Sequence, residues 1–150
     1  MESNGLPESV KVLQRVLDEG FARGDTSVVD ELFSPDLVEH QFGLAGQGPD
    51  AAAQVKKAIR EVHEAMPDIS YELADWATRE NTAWVRFTGR GTNTGPFFGP
   101  PSGKPVEITV IDIAAVVDGR ITEHWGVPDR FSLLAQTGVL RRLRPGAAED

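Results

Sequence analysis

The stretch Ile108-Thr109-Val110-Ile111-Asp112-Ile113-Ala114-Ala115-Val116-Val117-Asp118-Gly119-Arg120-Ile121-Thr122-Glu123-His124-Trp125-Gly126 decides the fold. Val106 to Val117 is a long apolar run rich in β-branched residues, which suit a pleated, packed surface. Asp118-Gly119 is a strong hairpin signal, because both central residues of such a turn adopt positive φ. Arg120 to Gly126 then reads as the return strand. A hairpin of this kind implies an antiparallel sheet.

Working upstream, the same period of two recurs. Ile69, Tyr71 and Leu73 alternate with polar residues, and residues 82–91 form another strand carrying Trp84, Val85 and Phe87. Asn93 to Pro105 is rich in Gly and Pro and reads as a loop or extended flap. Before residue 67 the period is helical. Val10, Leu13, Leu17 and Phe21, widened by Val16, mark a helix over 8–23, and Gly24 supplies a left-handed end. Asp25 caps a short helix with Val28, Val29, Leu32 and Phe33, which Ser34-Pro35-Asp36 breaks. Leu37 to Phe42 is a short apolar segment containing His40 and Gln41, and Gly43 to Pro49 is loop. Val55, Ile59, Val62 and Met66 mark a third helix over 50–66, ended by Pro67. Pro128 opens a last short helix with Phe131, Leu133 and Leu134, ending near Gly138. Helices come first and strands later, so the class is α+β with an antiparallel sheet in one domain spanning 1–150. Residues 1–7 and 141–150 read as flexible tails.

The chain has 150 residues and a formal net charge of -8. The one basic cluster, Arg141, Arg142 and Arg144 beside Pro145, reads as a solvated tail. That is too little for phosphate neutralisation, so no nucleic-acid partner is expected. Without cysteine, disulfides, thiolate catalysis and Cys-ligated metals are excluded. Met1 to Pro7 is polar, and no run approaches the ~20 apolar residues of a membrane span. A cytoplasmic enzyme or binding protein with no membrane partner is expected.

Asp112 is the most informative residue. A carboxylate inside so apolar a strand is costly to bury unless it is paired or faces a cavity, which makes it a candidate general acid or base. Whether His124 reaches it depends on the hairpin. In a strict two-residue turn Val117 pairs with Arg120, Asp112 lies opposite Trp125, and His124 faces the other side. With a type I turn and a Gly bulge, Val116 pairs with Arg120 and Asp112 lies opposite His124. The second register also groups Ile121 and Trp125 with Ile111 and Ile113 on one apolar face, and is favoured. An Asp–His pair facing a pocket is a proton-transfer device. His40 is the third candidate, as donor to a substrate carbonyl, with Gln41 and Phe42 beside it as pocket residues. Phe97, Phe98, Trp84 and Trp125 are candidates to line an apolar cavity. His63 reads as a partly exposed helix residue.

Other signals are weak. His40, Asp112 and His124 would make a two-His-one-carboxylate set, but no short ligand spacing supports a metal, and none is expected. Gly99-Pro100-Pro101-Ser102-Gly103-Lys104 lacks the spacing of a phosphate loop, and Pro105 and a strand follow it where a helix is required. No Gly-x-Ser-x-Gly elbow is present.

Glu123-His124-Trp125-Gly126-Val127-Pro128-Asp129-Arg130-Phe131, following Val116-Val117-Asp118-Gly119-Arg120-Ile121, resembles the C-terminal signature of SnoaL-like polyketide (ester) cyclases. Leu32-Phe33-Ser34-Pro35-Asp36-Leu37-Val38 before a His, and the Gly/Pro flap before the long strand, fit the same family. The resemblance covers about residues 8–140. It implies a cone-shaped α+β fold, shared with nuclear transport factor and scytalone dehydratase proteins, in which a curved antiparallel sheet wraps around N-terminal helices over a deep apolar pocket. It implies a cofactor-independent intramolecular aldol condensation closing a ring of an aromatic polyketide, worked by an Asp acid/base with a His, and a homodimer. Relatives of this fold open epoxides, hydrate, dehydrate or assist hydroxylation.

One departure matters. The founding cyclases carry their acid/base Asp just after the His of the return strand, where this chain has Gly126. The His of their preceding long strand aligns with Asp112. The expectation is therefore ring closure of a polyketide-like small molecule with Asp112 and His124 as an exchanged pair. An epoxide-opening cyclase, an epoxide hydrolase and a non-catalytic small-molecule-binding protein are the alternatives.

Overall fold

The computed structural model describes residues 5–142. Its elements are α1 (Glu8–Arg15), running into a π-helical turn (Val16–Phe21), α2 (Ser27–Leu32), β1 (Phe33–Glu39), β2 (Gly46–Gln47), α3 (Gly48–Ala65), β3 (Ser70–Arg79), β4 (Thr82–Thr92), β5 (Pro105–Val117), β6 (Arg120–Pro128), α4 (Arg130–Gln136) and α5 (Val139–Arg142). The six strands form one curved, unclosed sheet in the order β2-β1-β6-β5-β4-β3. The α+β class with a curved antiparallel sheet holds, and the pairing is antiparallel except between β1 and β6, which run parallel.

Burial along β5 alternates without exception from Pro105 to Ala114, placing Val106, Ile108, Val110, Asp112 and Ala114 on the inner face. The helices cover that face. In α3, Pro49 sits in the first turn, where its missing N–H costs nothing, and Val55 and Ile59 fall on the buried stripe. Leu13, Leu37, Ile59 and Ile121 are fully buried, each contributing roughly 1.5–3 kcal/mol.

Four local departures from the sequence reading matter. The helix expected over 8–23 widens at its C-terminal end, where the Ala22 N–H donates to Leu17 O at 2.8 Å, five residues back. The break expected at Ser34-Pro35-Asp36 is instead part of β1. Pro35 has no N–H for the ladder, and the β1–β6 register slips between Phe33 and Val38. Pro128 ends β6, and the Asp129 side chain caps α4 by accepting from the Ser132 N–H at 3.0 Å. Arg141 and Arg142, expected in a tail, end α5, whereas Arg144 and Pro145 lie outside the described residues.

The turn is the strict two-residue one. Val117 pairs with Arg120, and Asp118 and Gly119 have φ of 49° and 74°. The favoured register is therefore overturned, but so is its rival. Val116 pairs with Ile121 and Ala115 with Glu123, leaving Thr122 as an extra residue, a β-bulge. The bulge shifts every later residue of β6 by one. Ile121 is thus on the inner face and Trp125 on the outer, so they do not share the expected apolar face.

Candidate active site

The bulge sets where the candidate residues fall. On the inner face Val85, Asp112 and Gly126 form one row across β4, β5 and β6. Ala83, Ala114, His124 and Glu39 form the next, reaching β1. Asp112 and His124 are diagonal neighbours, a spacing that a long side chain can bridge. Ala114, directly opposite His124, presents only a methyl group.

His124 sits between two acids. Its Nε2 is 3.0 Å from Asp112 Oδ1, and its Nδ1 is 2.8 Å from both carboxylate oxygens of Glu39. Glu39 Oε1 also accepts from the Gln41 backbone N–H at 2.9 Å. Exposure is 2% for Glu39, 5% for Asp112 and 8% for His124, so water screens these contacts little. Burial by itself disfavours the charged ring. Hydrogen bonds to Asp112 and Glu39, with their negative charges, outweigh it and push the His124 pKa up to about 10. At neutral pH the imidazolium donates to both acids, fixing the carboxyl group of Asp112 by one oxygen and leaving the other for a ligand.

That oxygen has a place to act. Asp112, His124, Glu39 and Gln41 form the polar end of a cavity of about 320 Å³. Its walls are apolar, from Leu17 and Phe21 on the π-helical turn, Val62 on α3, and Ile108 and Val110 on β5. The volume lies in the ~300–1,000 Å³ range of small-molecule sites. Gln41 packs against Gly126: a Cβ built there would fall on the Gln41 side-chain oxygen and 3.0 Å from Asp112 Oδ1.

The other expected residues divide between two faces. Asp112, His124, Gln41 and Phe98 line the cavity, with Phe98 on the flap beside Phe97. His40 does not. Alternation along β1 turns Leu37 and Glu39 inward. His40, one residue past the strand, stacks on Trp125 with ring centroids 4.5 Å apart, and its Nε2 lies 2.8 Å from Glu123 Oε1. Phe42, 87% exposed, joins them in a groove on the outer face. Trp84 lies opposite Ile113, which lies opposite Trp125, so both tryptophans are also on the outer face. The expectation that His40, Phe42, Trp84 and Trp125 share the pocket of Asp112 is corrected on this ground. Among the described residues, no group of His, Asp and Glu side chains is arranged to hold a metal ion.

Sequence reasoning missed Glu39. Its signal was the step of two from Leu37, which puts a carboxylate on the inward face of a strand.

A family model described as SnoaL-like polyketide cyclase matches residues 11–137. Among solved structures, IdmH from Streptomyces antibioticus, provisionally described as a polyketide cyclase, is 31% identical with a TM-score of 0.72. The match covers 88% of this chain and 99% of IdmH. AclR from Streptomyces galilaeus, provisionally described as a hydroxylase, is 27% identical with a TM-score of 0.74, over 93% of this chain and 85% of AclR. A protein from Jannaschia sp. CCS1, provisionally described as a SnoaL-like polyketide cyclase, shares the fold at 21% identity and a TM-score of 0.75, over 92% and 94% of the two chains. No protein with a curated description matches the chain.

Proposed function

The chain belongs to the SnoaL-like polyketide cyclase family, and from that premise we propose that it is a cofactor-independent enzyme closing a ring in a polyketide-like small molecule. The observation that carries this reading is the carboxyl group of Asp112, opening on an apolar cavity and held from behind by a charged His124 that Glu39 anchors in turn.

In this mechanism the free oxygen of Asp112 takes a proton from carbon beside a substrate carbonyl. The resulting enolate carbon attacks a second carbonyl of the same molecule. A C–H bond breaks, a C–C bond forms, and the proton passes from Asp112 to the new alkoxide, so no other reactant is consumed. His124 positions Asp112, Glu39 positions His124, and the Gln41 amide replaces His40 as the neighbouring group able to meet a carbonyl. The facing of Asp112 and Gly126 supports an exchange of acid/base position. A carboxylate moved from the return strand to the long strand still opens on the same row. The walls fold the substrate near its reactive shape, and positioned acid/base groups typically supply ~10²–10⁴-fold.

The test is ring closure of linear aromatic poly-β-ketone acids and their methyl esters, followed by product NMR. Asp112→Asn is expected to lower turnover about 10²–10⁴-fold with the fold intact. Unchanged turnover removes Asp112 from the mechanism. Reaction in 18O-labelled water separates the alternatives, because epoxide hydrolysis places solvent oxygen in the product and intramolecular closure does not. Tight binding without turnover would favour a carrier.

A cytoplasmic homodimer is part of the same proposal. The outer face carries a row of Trp84, Ile113 and Trp125 with Val127 and Phe131 exposed beside it, an apolar surface suited to a second copy of the chain. Among the described residues, no helix is long and apolar enough to cross a membrane.

A further inference from the structure

Tyr71 lines the same cavity, yet the mechanism above leaves it unused. It stands on β3 opposite Gly89 of β4, which in turn faces Ile108 of β5. A Cβ built on Gly89 would lie 3.0 Å from Tyr71 Cε1, 3.2 Å from its Cδ1 and 3.0 Å from Ile108 Cγ2. The ring therefore lies over the glycine, in space that a side chain at position 89 would fill. This seat fixes the direction in which the phenol extends.

Buried tyrosines ordinarily give their hydroxyl a partner. Among the described residues nothing hydrogen-bonds the Tyr71 hydroxyl, and it is not sealed inside the packed core either, so it opens on the cavity. Its ring packs as a phenylalanine ring would, and the oxygen adds nothing to that packing. Four residues of β5, ~13 Å of strand, separate the row of Tyr71 from the row of Asp112, and both residues line the one cavity. They sense each other across it. Burial first, and the charge of Asp112 second, hold the phenol above its ordinary acidity range, so it remains a neutral O–H donor.

We propose that Tyr71 is a second catalytic residue, whose hydroxyl donates a hydrogen bond to the substrate ketone oxygen on which negative charge gathers while Asp112 removes the neighbouring proton. This rests on the ring-closure reading and narrows it to substrates with a ketone flanking an acidic C–H. A donor already aimed at the developing oxyanion acts in the transition state more than in the ground state.

The test uses two unreactive probes of one shape, 9-fluorenone and fluorene, which differ by the carbonyl. The wild-type protein is expected to bind fluorenone about 3- to 10-fold more tightly than fluorene, as one neutral hydrogen bond allows. The bound carbonyl stretch should fall below its frequency in hydrocarbon solvent. Tyr71→Phe should erase both the preference and the frequency shift while binding fluorene as the wild type does. An identical carbonyl frequency in wild type and Tyr71→Phe overturns the proposal, as does failure of fluorenone to bind the wild-type cavity. Neither probe reacts, so loss of the ring-closure reading would show separately, as absent turnover with the shifted carbonyl still present.

Discussion

Asp112 and His124 are hydrogen-bonded at 3.0 Å although neither is the other's partner across the strands: Asp112 faces Gly126 and His124 faces Ala114. The bulge at Thr122 makes this possible. Without it His124 would project from the outer face of the sheet.

The charge on His124 makes stability depend on pH. Its pKa stands at about 10 in the folded chain against 6.5 ordinarily. A group raised on folding stabilises fully below its unfolded value and loses that contribution as pH climbs through the folded one. The wild-type melting temperature is therefore expected to fall between pH 7 and pH 10, and calorimetry of His124→Gln should show that decline diminished. Glu39→Gln removes one of the two acids and should lower the ring's titration midpoint, read from imidazole NMR shifts.

Gly126→Ala tests the crowding at the polar end. Its new methyl group would press on the Gln41 amide and on Asp112 Oδ1. Position 126 is not among the positive-φ glycines, so the backbone tolerates alanine. The expected outcome is at least a tenfold loss of turnover with a stability change under about 2 kcal/mol. Gln41→Ala removes both the crowding and the amide able to meet a carbonyl, so the two losses should combine less than additively, a coupling that a double-mutant cycle measures.

Asn93 ties the flap to the body. Its side-chain amide donates to Gly95 O at 2.9 Å and Ala65 O at 3.4 Å, while its oxygen accepts from Ser102 N at 2.9 Å and Ser102 Oγ at 2.8 Å. Asn93→Ala removes all four of these buried or part-buried hydrogen bonds, at a cost of about 1–3 kcal/mol in urea unfolding. Cleavage by proteases should become faster within residues 95–102.

Val127→Glu places a charge on the exposed apolar face, away from the cavity. Light scattering is expected to give a dimer mass for the wild type and a monomer mass for the variant. Equal masses would end the case for association through this surface.

The hairpin was legible from its Asp118-Gly119 turn, and the strands and the helical cover from their periods. The bulge was not. Thr122 and Glu123 are both polar, and nothing in their order says which one steps out of the ladder. His40 drew attention as an imidazole, while Glu39 beside it looked like any charged residue near a strand end. The step of two from Leu37 turns Glu39 inward, but that step has meaning only once the segment is recognised as a strand, which its pairing with β6 makes plain.

Parallel pairing of β1 with β6 brings Glu39 to His124 over a separation of 85 residues. The hairpin holding Asp112 and His124 can form locally, but its imidazole gains a second acid only when the two ends of the domain have met. Such distant contacts must await closure of a long loop. The Glu39–His124–Asp112 cluster therefore depends on the whole domain being assembled: the hairpin by itself supplies Asp112 and His124 but not Glu39.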